Sequence, residues 1–207
     1  MCKSLLKKQY KVIGFSRKAK PDRTNHNLLG ISNDFEINQI DLKNTREIIS
    51  FIEKFNPAEI YNLGAQSSVG QSFLQVDETH ESIVNATVNI LESSKELEYK
   101  GKLFFANSGE IYGETVKPAS NSTPLNPKSP YGIAKACSLN YVRFYRETYN
   151  LNSVSGILFN HESILRPDKF VTKKIILNAI KCLKDTKHKL KVGNITISRD
   201  WGWAPEY

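Results

Sequence analysis

KLFFANSGEIYG, residues 102–113, decides the fold. Its first part, KLFFANS (102–108), is a short apolar run of β-forming residues, and it closes in small and polar residues that can turn. On either side the chain alternates between runs of this kind and longer amphipathic stretches. Before it come YKVIGF (10–15), FEINQIDL (35–42), a helix from Asn44 to about Phe55, EIYNLGA (59–65) and a helix from about Thr79 to Leu97. After it come a helix opening at Ser129, SVSGILF (153–159) and a helix from about Val171 to Lys184. Short strands separated by helices of this length indicate βαβ units and a parallel sheet. With right-handed crossovers the result is an α/β fold, a Rossmann-like doubly wound parallel sheet.

One piece of that fold is missing from the sequence. The chain opens on SLLKKQYKVIGF, which reads as the last turn of a helix followed by the second strand of such a sheet. Neither G-x-x-G-x-x-G nor G-x-G-x-x-G occurs, so there is no glycine-rich turn to cradle a pyrophosphate. The first strand normally lies at the middle of the sheet. Its absence leaves two unpaired inner edges.

The bulk properties narrow the classes of function. At 207 residues and 40% hydrophobic, the chain supports one sizeable core and part of a second region. No run of about 18 apolar residues occurs, so no membrane span is expected. The opening MCKSLLKKQYKVIG lacks the apolar centre of a signal peptide. Cys2, Cys137 and Cys182 are odd in number and form no C-x-x-C pair. Neither a disulfide framework nor a metal site is indicated, and a reduced, cytoplasmic setting fits. The net charge of +8 comes from Lys spread along the chain, with no recognition motif. That argues against nucleic acid and suits an anionic small molecule, a dinucleotide or a nucleotide sugar.

The strand ends carry the candidate chemistry. After the second strand stand Ser16, Arg17 and Lys18; cations there suit a 2′-phosphate where an acid would bind a 2′-hydroxyl, favouring NADP over NAD. Asp41 and Leu42 close the third strand, where a carboxylate can meet an adenine amino group. Leu63, Gly64, Ala65, Gln66 and Ser67 end the fourth with small residues that let a ligand approach the backbone. In NSGEIYG (107–113), Ser108 can donate a hydrogen bond to a substrate oxygen and Glu110 can move a proton.

The next helix, SPYGIAKACSLNYVRFYRETY (129–149), has Ser129 as N-cap and Pro130 at its first position. Ala134, Cys137, Tyr141 and Phe144 recur at helical spacing as a face to bury. Tyr131 and Lys135 are one turn apart and share a face. Alone they fit an ordinary amphipathic helix with one exposed Tyr and one solvated Lys. Ser108 and Glu110, at the end of the preceding strand, point instead to a shared crevice.

Taken together these residues resemble the extended short-chain dehydrogenase/reductases that act on nucleotide sugars, and within them the GDP-mannose 4,6-dehydratases. The likeness rests on YNLGAQSSVGQSF (61–73), NSGEIYG (107–113), SPYGIAK (129–135), GILFNHES (156–163), FVTKKI (170–175) and RDWGWAPEY (199–207). It implies an internal piece of a longer protein: a partial NADP-binding domain over 1–160 and the start of a smaller substrate domain over 161–207. It assigns catalysis to Ser108, Glu110, Tyr131 and Lys135. Tyr131 would take the proton of the sugar 4-hydroxyl, its phenolate favoured by Lys135, which also holds the nicotinamide ribose. Glu110 would remove the C5 proton and assist loss of the 6-hydroxyl as water, giving GDP-4-keto-6-deoxymannose.

The same resemblance places Arg17, Lys18, Asp41, Leu42, Leu63 to Ser67, Lys135, His161 and Arg166 on the cofactor. It places Asn160, Lys174 and Arg199 on the substrate GDP-mannose. Ser108 stands for the family's Thr, Gly109 and Ser68 replace its usual Ser and His, and Glu78 occupies the position of a cofactor-contacting Tyr. A homo-oligomer is implied for the full-length form. Two alternatives stay open: another nucleotide-sugar epimerase or reductase of the same family, or a truncated product with binding surface but no activity.

Overall fold

The computed structural model describes residues 1–193 and 195–206. Tyr207, the last residue of the RDWGWAPEY segment, lies outside them. The chain packs as two compact units, Met1–Ile157 and Leu158–Tyr207.

The first unit opens with α1 (Cys2–Lys7), β1 (Ile13–Ser16), α2 (Thr24–Leu28), β2 (Glu36–Gln39), α3 (Thr45–Phe55) and β3 (Glu59–Asn62). Two short helices, α4 (Val69–Ser72) and α5 (Val76–His80), lead through a π-turn at Glu81–Asn85 into α6 (Ala86–Glu96). Then come β4 (Lys102–Ser108), a 3₁₀ turn at Gly109–Ile111, α7 (Pro130–Tyr149) and β5 (Ser153–Leu158). The second unit holds β6 (Asn160–Glu162), α8 (Val171–Lys184), β7 (Trp201–Trp203) and a closing 3₁₀ turn at Ala204–Glu206.

The expected α/β alternation is present, and the sheet is broken where the first strand is missing. β1 pairs in parallel with β2, with Ile13 opposite Glu36. β3 pairs in parallel with β4, with Glu59 opposite Lys102, and β4 also pairs with β5. Among the described residues no ladder joins β1 to β3. The order β2-β1, then β3-β4-β5, is the doubly wound order with its central strand absent. Phe15 on β1 records the gap: it packs edge-on against Phe51 at 4.8 Å, yet is 43% exposed.

Three strands are shorter than the apolar runs suggest: polar side chains turn the chain after two of them, and a backbone bond delays the start of the third. Asp41 Oδ1 accepts the Lys43 N–H after β2, and Asn62 Oδ1 accepts the Gly64 N–H after β3. Such Asx turns compete with the ladder. At the start of β1, the Tyr10 N–H is bonded back to the Leu5 carbonyl at 3.1 Å.

The core of the first unit joins α3, α6, β4 and α7 through Ile48, Ile52, Ile90, Leu91, Leu103, Phe105, Val142 and Tyr145. α3 is well specified at both ends. The Asn44 side chain caps its first turn and Asn56 ends it in the left-handed region, at φ 40°.

The buried face of α7 differs from the expected one. Tyr131, Ala134, Lys135, Ser138, Val142 and Tyr145 are buried, Cys137 is half-buried, and Tyr141 and Phe144 are 39% and 47% exposed. The reason is that polar groups on the inner face find partners. Ser138 Oγ lies 2.8 Å from Thr87 Oγ1 on α6, so a face of small and hydroxyl residues packs closely.

None of the described residues from Leu158 on is buried, and Ile175, Ile176, Ile180 and Leu183 of α8 are exposed. No helix among the described residues is long and apolar enough to cross a membrane.

Candidate active site

The end of β4 and the start of α7 form one assembly. Asn107 is 5% exposed and both ends of its amide are used. Its Nδ2 donates to the Lys135 carbonyl at 3.0 Å, and its Oδ1 accepts the Ser108 N–H at 2.8 Å. Lys135 returns the connection: its Nζ donates to the Ala106 carbonyl at 2.7 Å. Strand and helix are thus fastened at Lys135 through both its side chain and its backbone.

The Lys135 ammonium also lies 5.7 Å from the centroid of the Tyr131 ring. The pair expected from the Y-x-x-x-K spacing therefore shares a face, with both members buried. Burial pushes the Lys135 pKa down to about 8.

Ser108 is half-buried at the strand end, and its Oγ accepts the Glu110 N–H at 3.3 Å, capping the 3₁₀ turn that carries Glu110. The chain then returns to α7 along a pinned path. Gly113 has φ +64°, and a Cβ there would lie 2.2 Å from the Asn126 carbonyl oxygen, so no other residue fits without a shift. Asn126 N–H in turn donates to the Ile111 carbonyl at 2.9 Å. Ser129 caps α7 by accepting the Gly132 N–H at 3.0 Å. A Cβ on Gly132 would meet the Glu110 carbonyl oxygen at 2.8 Å. The bare glycine next to Tyr131 is what lets α7 begin against the Glu110 turn.

The cofactor-side candidates gather at the ends of β1, β2 and β3. Arg17 follows β1, and its Nη1 lies 3.7 Å from Glu78 Oε1 on α5. The Lys18 N–H donates to Ser16 Oγ at 3.1 Å, an ST turn at the same place. Asp41 and Leu42 sit in the turn after β2, where the Leu42 carbonyl accepts Asn89 Nδ2 from α6 at 2.8 Å. In the loop after β3, Leu63, Gly64 and Ser67 are exposed and Ala65 half-buried. Gln66 turns inward: its Nε2 donates to Ser68 O at 2.9 Å and to Thr79 Oγ1 at 3.1 Å, bracing the loop. Ser68 caps α4.

The remaining candidates belong to the second unit. Asn160 and His161 lie on β6, paired with Trp201 and Gly202, and His161 Nδ1 is 3.0 Å from the Phe159 carbonyl. The Arg166 guanidinium stacks on Phe170 at 3.7 Å, with its Nε 3.3 Å from Glu162 Oε1. Lys174 is on α8, and Arg199 stands just before β7.

Two residues of the site lie outside what the sequence reading assigns. Asn107 reads there as part of a turn; an amide at an inward strand position, followed by a capping Ser, is the signal that marks a buried fastener. Glu78 enters there only as a departure from the family pattern, and a pairing with Arg17 is not legible from two positions so far apart. Among the described residues no cluster of three His, Cys, Asp or Glu could hold a metal ion. A cleft of about 340 Å³ lined by Lys43, His80, Glu81, Val88, Cys137 and Tyr141 touches none of Ser108, Glu110, Tyr131 or Lys135.

A parallel sheet in doubly wound order, with Tyr131 and Lys135 buried on a helix that begins against the turn carrying Glu110, is the arrangement of an extended short-chain dehydrogenase/reductase. Comparison with known proteins agrees and narrows it. The chain belongs to the GDP-mannose 4,6 dehydratase family, whose family model matches residues 1–207.

GDP-mannose 4,6 dehydratase 1 of Arabidopsis thaliana is 35% identical over 214 residues, covering 98% of this chain and 59% of that protein. The GDP-mannose 4,6 dehydratase of Dictyostelium discoideum is 40% identical over 172 residues, 81% of this chain and 48% of its own length. The chain therefore spans between 48% and 59% of these two relatives. Among solved structures, UDP-glucose 4-epimerase of Thermus thermophilus in complex with NAD superposes with TM-score 0.76 at 25% identity, over 88% of this chain and 58% of that one. The dTDP-glucose 4,6-dehydratase of Bacillus anthracis in complex with NAD, at 22% identity, shares the fold with TM-score 0.79 over 97% of this chain and 62% of its own.

Proposed function

We propose that this chain carries the chemistry of a nucleotide-sugar dehydratase that converts GDP-mannose to GDP-4-keto-6-deoxymannose and water. The observation that carries the reading is the close approach of Gly132 to the Glu110 carbonyl. It brings a carboxylate-bearing turn against the first turn of the Tyr131–Lys135 helix. A reductase or an epimerase needs the Tyr, the Lys and a hydroxyl; only a dehydratase also needs a carboxylate to act at C5.

The cofactor in this reading is a nicotinamide dinucleotide, and Arg17 and Lys18 favour its 2′-phosphorylated form, NADP. The residues present fit its adenosine half. Besides those cations, a Cβ built on Gly64 would meet only Asn62 Oδ1 at 3.9 Å and Leu42 Cδ1 at 4.0 Å, which leaves room for a ligand against the backbone. When bound, the nicotinamide accepts a hydride from the sugar and later returns it.

Tyr131 takes the proton of the 4-hydroxyl while Ser108 donates a hydrogen bond to the same oxygen. Lys135, held between Ala106 and the Tyr131 ring, supplies the positive charge that favours the Tyr131 phenolate. Glu110 removes the C5 proton, made acidic by the new 4-keto group, and delivers a proton to the departing 6-hydroxyl. His161 and Arg166 are assigned to the cofactor, and Asn160, Lys174 and Arg199 to the substrate.

The test is incubation of the chain with GDP-mannose and NADP, with the product read by mass. Loss of one water with no net NADPH supports a dehydratase. A product of unchanged mass but altered sugar configuration would assign an epimerase, and stoichiometric NADPH would assign a simple dehydrogenase.

A further inference from the structure

Resting on the dinucleotide reading above, the geometry points to Glu78 as a residue that sets how strongly the site discriminates between 2′-phosphorylated and unphosphorylated dinucleotides. Two ion pairs cross from the strand ends to the helical stretch at 76–85. Arg17, after β1, pairs with Glu78 at 3.7 Å, and Lys43, after β2, pairs with Glu81. Glu78 and Glu81 are three residues apart, so they stand on one helical face, each paired with a cation from a strand end. Arg17 is the side chain a 2′-phosphate would seek, and it is already matched by a carboxylate.

A dinucleotide that brings a 2′-phosphate must separate Glu78 from Arg17 and then sit beside the displaced carboxylate. The phosphate carries close to two negative charges at neutral pH, so the repulsion is appreciable. A 2′-hydroxyl carries no charge and can donate to Glu78. In Rossmann folds the acid that selects the free hydroxyl usually stands at the strand end. Here the strand end carries Arg17, and an acid arrives from α5. Arg17 and Glu78 thus act in opposite directions on one ligand group, and the preference Arg17 and Lys18 create is reduced by Glu78.

The test is calorimetric titration of the 207-residue chain and of Glu78→Gln with two probes, 2′,5′-ADP and 5′-AMP. Both partners are solvent-exposed, which holds the expected gain to about fivefold tighter 2′,5′-ADP binding in Glu78→Gln, with 5′-AMP binding no tighter. In the background of Arg17→Gln the same substitution should give a smaller gain, because the pair being broken is no longer there. Equal changes for both probes, or none, would overturn the proposal while leaving the dinucleotide reading intact. Failure of both proteins to bind either probe would remove the dinucleotide reading, and the proposal with it.

Discussion

The Lys135 ammonium donates to the Ala106 carbonyl at 2.7 Å, from a side chain enclosed between β4 and α7. Its pKa is pushed down from 10.5 to about 8 by burial. Between those values the unfolded chain holds a proton that the folded chain has released, so this group makes stability rise with pH across that window. Below about pH 8 both states are protonated, and the folded state bears the full cost of the buried charge. Between about pH 7 and 9.5 the group is worth about 2 kcal/mol. Lys135→Met keeps the length of the side chain without the charge. Urea unfolding of both proteins at the two pH values should show the wild type gaining about 2 kcal/mol relative to the variant. Parallel pH profiles would mean that the ammonium is solvated in the folded state.

Asn107 is the second half of that fastening. Asn107→Ala leaves the half-buried Ser108 N–H without its acceptor and the buried Lys135 carbonyl without its side-chain donor, and should cost about 2 kcal/mol. Asn107→Asp keeps the acceptor for Ser108 but sets a carboxylate oxygen against the Lys135 carbonyl. The expected order of stability in urea is Asn, then Ala, then Asp. If Asp matched Asn, the bond from Nδ2 to Lys135 would be of no consequence.

Gly132→Ala sets helix propensity against packing. Alanine favours an α-helix over glycine by about 1 kcal/mol. The added methyl, however, would meet backbone, the Glu110 carbonyl at 2.8 Å, as well as Pro127 Cβ at 3.1 Å. Overpacking of this kind costs about 1–3 kcal/mol, so a net loss of stability is expected on thermal unfolding. Because the neighbour that must move is the Glu110 turn, turnover should fall more than stability does. A stabilised variant with full activity would show that α7 need not begin against that turn.

The order of strands and helices, the Tyr131–Lys135 face and the interrupted sheet are all legible in the sequence. Each depends on local period, on turn residues, or on a motif that does not occur. What is not legible depends on partners distant in the chain. The inner face of α7 holds Lys135 and Ser138 where apolar periodicity would place Cys137 and Phe144. Only the acceptors on Ala106 and Thr87 make those polar residues tolerable inside. The ends of β2 at Gln39 and β3 at Asn62 fall earlier than apolar content suggests for a related reason. A side chain that bonds two residues ahead stops a ladder, and apolar content does not register it.

Glu110→Gln separates dehydration from its neighbouring chemistries. The amide keeps the size of the carboxylate and cannot accept the C5 proton. Loss of a general base of this kind lowers turnover by about 10²–10⁴-fold. Binding of GDP-mannose, followed by calorimetry, should be unchanged. Full turnover in Glu110→Gln would assign the proton transfer to another group and withdraw the dehydratase reading.

The gap in the sheet predicts unequal protection of its two parts. β1 and β2 form a two-stranded ladder with one edge of β1 unpaired, whereas β4 is paired on both sides. Isolated two-stranded ladders are marginal in water, so β1 and β2 depend on α3 for their order. α3 itself is anchored: Ile48 and Ile52 share a core with Leu91 and Leu103. Native-state hydrogen exchange should therefore find the amides of Ile13–Ser16 and Glu36–Gln39 opening at free energies well below those of Leu103 and Phe105, with Ile48 and Ile52 close to the latter. Equal protection across the five strands of these two ladders would mean that the ladders unfold only together, and that the open edge of β1 does not weaken it.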